Sequence, residues 1–133
     1  MSGGQDWAQE LTRSEPASKR VYIAGPMTDM PDHNFPAFHA AAKRFRDAGW
    51  EVVNPAENFG GNITLPRWRY MRKDIAALTQ CDAIALLPGW WRSRGATLEY
   101  QVAIECGLAI YNAETMKREY AGTQALDEKT AAA

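Results

Sequence analysis

The sequence predicts a single-domain α/β fold in which a parallel sheet of about four to five strands is flanked by helices. Short β-branched and apolar runs alternate with longer segments whose apolar residues recur every three or four positions. Strands that alternate with helices form right-handed βαβ units, and these units build a doubly wound parallel sheet. At 133 residues the chain has the length of one ordinary domain.

The elements follow one another along residues 20–112. Strands are predicted at RVYIAG (20–25), WEVVNP (50–55), DAIALLPG (82–89) and LAIYN (108–112). Helices are predicted at about 34–49, 65–80 and 93–107. The unbroken apolar character of the third strand indicates burial on both faces. Residues 1–19 and 113–133 are expected to be terminal tails, the second partly disordered.

The composition favours a small-molecule partner. Fifteen Lys and Arg stand against 16 Asp and Glu, so the chain lacks the basic excess that is typical of proteins that bind nucleic-acid polymers. No apolar run approaches the roughly 18 residues that span a bilayer, and no signal peptide is recognisable, so we expect a cytoplasmic protein without a membrane partner. Cys81 and Cys106 lack neighbouring ligands and are expected to be buried thiols, so no metal site is predicted.

Three loops are predicted at the carboxyl ends of the strands, where ligands of parallel sheets bind. They supply the candidate binding residues Gly25, Pro26, Met27, Asn54, Trp90, Trp91, Arg92, Ser93, Arg94 and Gly95. A base can stack on a Trp ring and an Arg can bind a phosphate, although an oligomer contact explains the same loop equally well. The chain has no glycine-rich dinucleotide fingerprint and no P-loop, so no cofactor is predicted.

Two carboxylates are candidates for chemistry. Glu99 opens the apolar stripe of the third helix and is expected in its first turn, where an unused carboxylate would be costly to desolvate. Asp74 lies at the edge of the buried side of the preceding helix. Two carboxylates that face the same edge of the sheet suggest general acid, general base or nucleophilic catalysis. The alternatives are an N-terminal acid that points into water and a surface aspartate.

Four segments together resemble the nucleoside 2-deoxyribosyltransferase superfamily, specifically its small phage and bacterial branch that begins YIAGPMT. They are VYIAGPMT (21–28), NPAENF (54–59), RKDIAALTQCD (72–82) and SRGATLEYQVAIECG (93–107). The resemblance covers about residues 20–112 and implies a flavodoxin-like parallel sheet. It also implies cleavage of the N-glycosidic bond of nucleosides or nucleotides by a homo-oligomer.

The resemblance implies a role for each matching residue. Glu99 matches the nucleophile, Tyr22 matches a tyrosine that positions it, and Asp74 matches an aspartate that contacts the base or sugar. Ser93 matches a serine that helps to hold a 5′-phosphate in the nucleotide-hydrolysing relatives. Gln101 departs from the family, which often has Gly two positions after the nucleophile.

The leading hypothesis is therefore an N-glycosidase that acts on a nucleoside 5′-monophosphate or nucleoside through a covalent glycosyl–Glu99 intermediate, with water rather than a second base as acceptor. The helix N-terminus is expected to keep Glu99 ionised. One alternative is a non-catalytic nucleotide-binding or sensing module. Another assigns the Trp pair to a protein interface beside a vestigial cleft.

Overall fold

A computed structural model describes residues 19–120, so most of both expected tails lies outside the described residues. Within this range the chain forms five strands: β1 (Arg20–Ala24), β2 (Glu51–Val53), β3 (Ala83–Leu86), β4 (Ala109–Asn112) and β5 (Arg118–Glu119). The α-helices of the same range are α1 (Phe35–Asp47), α2 (Arg67–Leu78) and α3 (Arg94–Glu105). Short 3₁₀ turns occupy Pro31–Asn34, Pro55–Gly61 and Trp90–Arg92. No helix among the described residues is both long and apolar enough to cross a membrane.

The five strands form one sheet in the order β2-β1-β3-β4-β5. The first four strands are mutually parallel and β5 is antiparallel to β4. This confirms the predicted α/β parallel-sheet fold, with the flavodoxin-like strand order. The order reverses between β1 and β3, because the chain leaves β1 for one edge of the sheet and returns to build the other. The loops that follow β1 and β3 therefore diverge and leave a crevice between them.

The two faces of β1 pack against different helices. Val21 and Ile23 join the core that includes Phe38 and Phe45 of α1. Tyr22 and Ala24 point to the other side, where the core includes residues of α2 and α3. This alternation follows from the two-residue period of a strand. It buries the Tyr22 ring completely, beneath the helices that border the crevice.

The sheet extends beyond residue 112, where the sequence analysis ended the domain. Arg118 pairs with Tyr111, and Glu119 pairs with Ile110. The side-chain oxygen of Asn112 accepts hydrogen bonds from the next turn, including one from the Glu114 N–H at 2.8 Å. A two-residue strand has no measurable apolar alternation, so the pattern of the sequence could not predict it.

The two cysteines differ in exposure. Cys81 is buried, as expected, and Cys106 is exposed. The expectation for Cys106 is wrong because α3 ends at Glu105, one residue before it, and the chain then turns away through Gly107, whose φ is 75°. The apolar stripe of the helix therefore does not continue to Cys106.

Candidate active site

A cavity of about 320 Å³ opens beside the ends of β1 and β3. Its wall is built from the loop after β1, the first turn of α1, the connection between β2 and α2, the N-terminal part of α2 and the start of α3. Six residues that the sequence analysis singled out border it: Gly25, Met27, Asp74, Ser93, Gly95 and Glu99. The volume lies at the lower end of the range of about 300 to 1,000 Å³ found for small-molecule sites.

Glu99 is buried at the wall of the cavity, with 6% of its surface exposed. The Tyr22 hydroxyl donates a hydrogen bond of 2.5 Å to Glu99 Oε2. Glu99 is the sixth residue of α3, so the expectation that it lies in the first turn is wrong. The helix begins at Arg94, five positions earlier, which places Glu99 in the second turn.

Burial raises the pKa of Glu99 to about 8, and the negative charge of Asp74 adds to this effect. The hydrogen bond from Tyr22 and the positive charge of Arg67 oppose it. The hypothesis that the helix N-terminus keeps Glu99 ionised is not supported, because the free donors of a helix lie in its first turn and Glu99 lies in the second. Near pH 7 the Glu99 carboxyl is mostly protonated.

Asp74 is the second carboxyl group of the cavity. It is half-buried on α2, and the Asn58 side-chain amide donates a hydrogen bond of 2.5 Å to its Oδ1. Burial raises the pKa of Asp74 to about 6, against the lowering effect of Asn58. Burial also raises the pKa of Tyr22 well above 10, and the charges of Glu99 and Asp74 raise it further. The hydroxyl of Tyr22 therefore keeps its proton and remains a donor.

The positive side chain at the cavity is Arg67, which sequence reasoning missed. Arg67, Tyr70, Met71 and Asp74 all line the cavity from α2. Their spacing of three, four and seven positions marks one face of a helix, and this signal could have found them. Arg92 and Arg94, the expected phosphate contacts, are exposed and lie outside the lining of this cavity.

Both tryptophans of the β3–α3 loop also lie outside the cavity lining. The Trp90 ring is buried against Tyr100, with ring centroids 4.5 Å apart, and meets Trp91 edge-on at 6.2 Å. Gly89, with a φ of 79°, turns the chain into the short helix that carries these rings onto α3. The guanidinium of Arg92 lies 6.0 Å from the Trp91 ring centroid. Neither ring therefore lines the cavity from which the sequence analysis expected one of them to flank a base.

The other candidates support the loops or line the cavity. The Pro26 carbonyl accepts a 2.9 Å hydrogen bond from Asn34 Nδ2. Asn54 is buried and caps the Pro55–Gly61 turn by accepting a 3.0 Å hydrogen bond from the Ala56 N–H. The hydroxyl of Ser93 caps α3 by accepting from the Ala96 N–H at 3.1 Å. Of these three candidates, Pro26, Asn54 and Ser93, only Ser93 also lines the cavity.

Sequence reasoning missed part of the wall because the segment after β2 looked like a plain loop. That segment, which ends before α2 begins at Arg67, brings Asn58, Asn62, Ile63 and Leu65 to the cavity. His33, from the loop after β1, also lines it. Among residues 19–120 no group of three His, Cys, Asp or Glu side chains is arranged to hold a metal ion.

The chain is similar to three solved structures of known name. The solution structure of BlsM has a TM-score of 0.55 to this chain. The 2-desoxiribosyltransferase from Leishmania mexicana is 21% identical to this chain, with a TM-score of 0.56. The alignment covers 78% of this chain and 80% of the transferase. The solution structure of BlsM is 20% identical over 69% of this chain, and the chain spans 62% of BlsM. The Clostridium botulinum CMP N-glycosidase BcmB is 22% identical, with a TM-score of 0.51 and coverage of 71% of this chain and 67% of that chain.

A comparison with curated proteins finds no match. Residues 19–112 match the model of a family described as "Domain of unknown function (DUF4406)". The chain therefore belongs to the DUF4406 family and has the nucleoside 2-deoxyribosyltransferase-like fold.

Proposed function

We propose that the protein is an N-glycosidase that cleaves the base–sugar bond of a nucleoside 5′-monophosphate or nucleoside. The observation that carries this proposal is the buried Glu99 carboxyl, which borders the cavity and accepts a hydrogen bond from Tyr22. A buried carboxyl is costly for a fold to retain without a use. Two proteins of similar structure, a CMP N-glycosidase and a 2-desoxiribosyltransferase, support the same class of reaction.

In the first step an oxygen of Glu99 attacks the anomeric carbon of the sugar. The bond from this carbon to the base nitrogen breaks, and its electron pair stays with the base. Asp74 donates its proton to the departing base, which leaves a sugar ester on Glu99. Tyr22 orients the Glu99 carboxylate and donates a hydrogen bond to it.

In the second step water attacks the same carbon and displaces Glu99. Asp74, now a carboxylate, accepts a proton from this water, which returns both carboxyl groups to their starting states. Transfer to a second base would use the same intermediate, with the incoming base nitrogen in place of water. The Ser93 hydroxyl at the wall favours a nucleotide, because the resemblance assigns this position to a 5′-phosphate.

In the reactive state the carboxyl groups of Glu99 and Asp74 together hold a single proton, so one group is protonated and the other is ionised. Burial raises the pKa of Asp74 to about 6 and that of Glu99 to about 8, so the pair holds one proton between these values. Attack needs this proton on Asp74 and the charge on Glu99. An oxocarbenium-like sugar brings positive charge next to Glu99 and so favours its ionised form, as does Arg67.

Arg67 replaces Arg92 and Arg94 as the proposed contact to a phosphate. It lines the cavity from the first turn of α2, and its charge already acts on Glu99. A guanidinium can bind two phosphate oxygens at once. Cytoplasmic location and a homo-oligomeric state stay predictions that come from the sequence.

The second candidate is a nucleotide-binding module without turnover. The observation that favours it is the burial of Glu99, which raises its pKa, since a protonated carboxyl is a hydrogen-bond donor and not a nucleophile. In this case the cavity would bind a base or sugar, and the bond would stay intact.

A panel assay separates the two candidates. The protein is incubated with nucleosides and nucleoside monophosphates, and free base is measured by chromatography. Calorimetry with the same compounds measures binding. Release of base from at least one compound supports the glycosidase, whereas saturable binding without base release supports the module.

A further inference from the structure

A second groove lies on α2, formed by residues that do not line the active-site cavity. It has a volume of about 390 Å³ and is lined by Phe59, Trp68, Arg69, Arg72 and Lys73. The cavity is instead lined by Arg67, Tyr70, Met71 and Asp74 of the same helix. We call the groove lined by Phe59, Trp68, Arg69, Arg72 and Lys73 the outer groove. The two sites are thus built on different faces of one helix.

The outer groove is strongly basic, although the whole chain has a net charge of −1. Four of the seven residues at 67–73 are basic and none is acidic. Arg69, Arg72 and Lys73 form no salt bridge among the described residues, where the recorded pairs involve Arg20, Lys43 and Arg46. The charge of Lys73 acts on the neighbouring Asp74, but no carboxylate forms a salt bridge with Arg69 or Arg72 among the described residues. Like charges that gather on one exposed face attract an anion.

Aromatic rings lie between these cations. Arg69 and Lys73 lie 5.4 Å and 5.0 Å from the Phe59 ring centroid, and Arg72 lies 5.6 Å from that of Trp68. Trp68 is 57% exposed, which is unusual for so large an apolar side chain. Most of its surface is therefore open to a ligand.

Phe59, which lines the groove, has an unusual backbone conformation. Its φ is 52°, in the left-handed region that bulky residues avoid. The ring is held by an edge-on contact with Tyr70, with centroids 5.5 Å apart, and by the two cations. Strain of this kind persists where the surrounding structure holds it, and it is concentrated at functional sites.

We propose that the outer groove binds single-stranded nucleic acid, with backbone phosphates on Arg69, Arg72 and Lys73 and a base stacked on Trp68. Cations interleaved with an exposed ring are the pattern of surfaces that bind single strands. An acidic peptide backbone would use the cations but has no planar base to stack on the exposed Trp68 ring. From Arg69 to Lys73 the helix rises by about 6 Å, which limits the contact to a few phosphates. This inference does not depend on the proposed glycosidase activity.

The test is titration of a fluorescein-labelled oligothymidylate of about eight nucleotides, followed by fluorescence anisotropy. Three phosphate contacts predict that the logarithm of the association constant falls with the logarithm of salt concentration with a slope of about −2. Arg69→Glu combined with Arg72→Glu should weaken binding at least about 10-fold and make this slope shallower. Trp68→Ala should weaken binding about 10-fold through lost stacking.

A matched control is Arg118→Glu on β5. The Arg118 guanidinium also lies over an exposed ring, 5.6 Å from the centroid of Tyr120, and belongs to neither site. This variant should bind the oligonucleotide like the wild type, and circular dichroism checks that all variants fold. Equal binding by the wild type and the double Glu variant would overturn the proposal. So would an unchanged affinity of Trp68→Ala together with full competition by polyglutamate, which would assign the groove to an acidic protein.

Discussion

The hydroxyl of Tyr22 and the carboxyl of Glu99 form a 2.5 Å hydrogen bond, although 77 positions separate the two residues in the sequence. The bond connects the first strand of the sheet to the second turn of α3. Both side chains are buried, so the bond forms in a medium of low dielectric constant where it is strong. It is the contact through which the fold positions the proposed nucleophile.

Replacing Tyr22 by Phe removes this donor and leaves the ring in place. The hydrogen bond lowers the pKa of Glu99, so its loss should raise that pKa further above about 8. The falling limb of the pH–rate profile should then move to higher pH, and kcat at neutral pH should decrease about 10²-fold. The measurement is base release as a function of pH.

Tyr111→Phe is the control for this variant. Tyr111 packs against the opposite core, with its ring centroid 5.3 Å from that of Trp50, and it does not line the cavity. Its kcat and pH profile should remain those of the wild type. Equal profiles for both variants would contradict the assigned role of Tyr22.

Stability should depend on pH through Glu99. Its pKa rises from 4.5 to about 8 on folding because the group is buried, so the folded protein binds this proton more tightly than the unfolded chain. The contribution is complete below pH 4.5 and is lost as pH increases towards about 8. The free energy of unfolding should therefore fall over this window, by on the order of a few kcal/mol.

Glu99→Gln removes the titrating group and should flatten this pH dependence, measured by urea unfolding at a series of pH values. Glu105→Gln serves as the comparison, because Glu105 is an exposed carboxylate on the same helix. That variant should keep the slope of the wild type. If the free energy of unfolding of Glu99→Gln depended on pH as in the wild type, groups other than Glu99 would cause this dependence.

Asp74→Asn removes the proposed proton donor for the leaving base. Since general acid–base catalysis contributes about 10² to 10⁴ in rate, kcat/KM should decrease by that factor. The wild-type profile should be bell-shaped, with limbs near pH 6 and pH 8 from Asp74 and Glu99. In the variant the residual rate should increase with pH as Glu99 ionises and should no longer fall at high pH. A bell-shaped pH–rate profile in Asp74→Asn would exclude Asp74 as the proton donor.

Two glycines of the cavity wall should respond differently to Ala. A Cβ on Gly25 would lie 2.7 Å from the Cβ of Leu87, so overpacking should cost about 1 to 3 kcal/mol and lower Tm by at least about 4 °C. A Cβ on Gly95 would meet the Met71 sulfur at an ordinary 3.7 Å. Gly95→Ala should keep Tm and raise KM, because the methyl group enters the cavity. Equal loss of Tm in both variants would contradict this packing.

The sheet and its helices could be predicted because their apolar periods are regular. The four apolar runs became β1 to β4, and the burial of Glu99 and Asp74 was visible in their positions on helical stripes. The start of α3 was predicted to within one residue, at 93 against the observed Arg94. The position of Glu99 relative to that start was wrong, because Glu99 is the sixth residue of the helix and lies in its second turn, where burial raises its pKa.

The loops could not be predicted because their course depends on backbone conformations and distant contacts. The left-handed Gly89 directs Trp90 onto Tyr100, where a prediction from residue type had placed it at a ligand. Net charge was equally uninformative about the outer groove. The excess of cations at residues 67–73 is local, and acidic residues elsewhere cancel it in the sum.

The central claim is that Glu99 is the nucleophile of an N-glycosidase. The most direct measurement compares base release by the wild type and by Glu99→Ala, with the nucleoside or monophosphate on which the wild type is most active. The wild type should release free base, and the variant should lose at least about 10³-fold in kcat while it still folds. Full activity of Glu99→Ala would contradict the account.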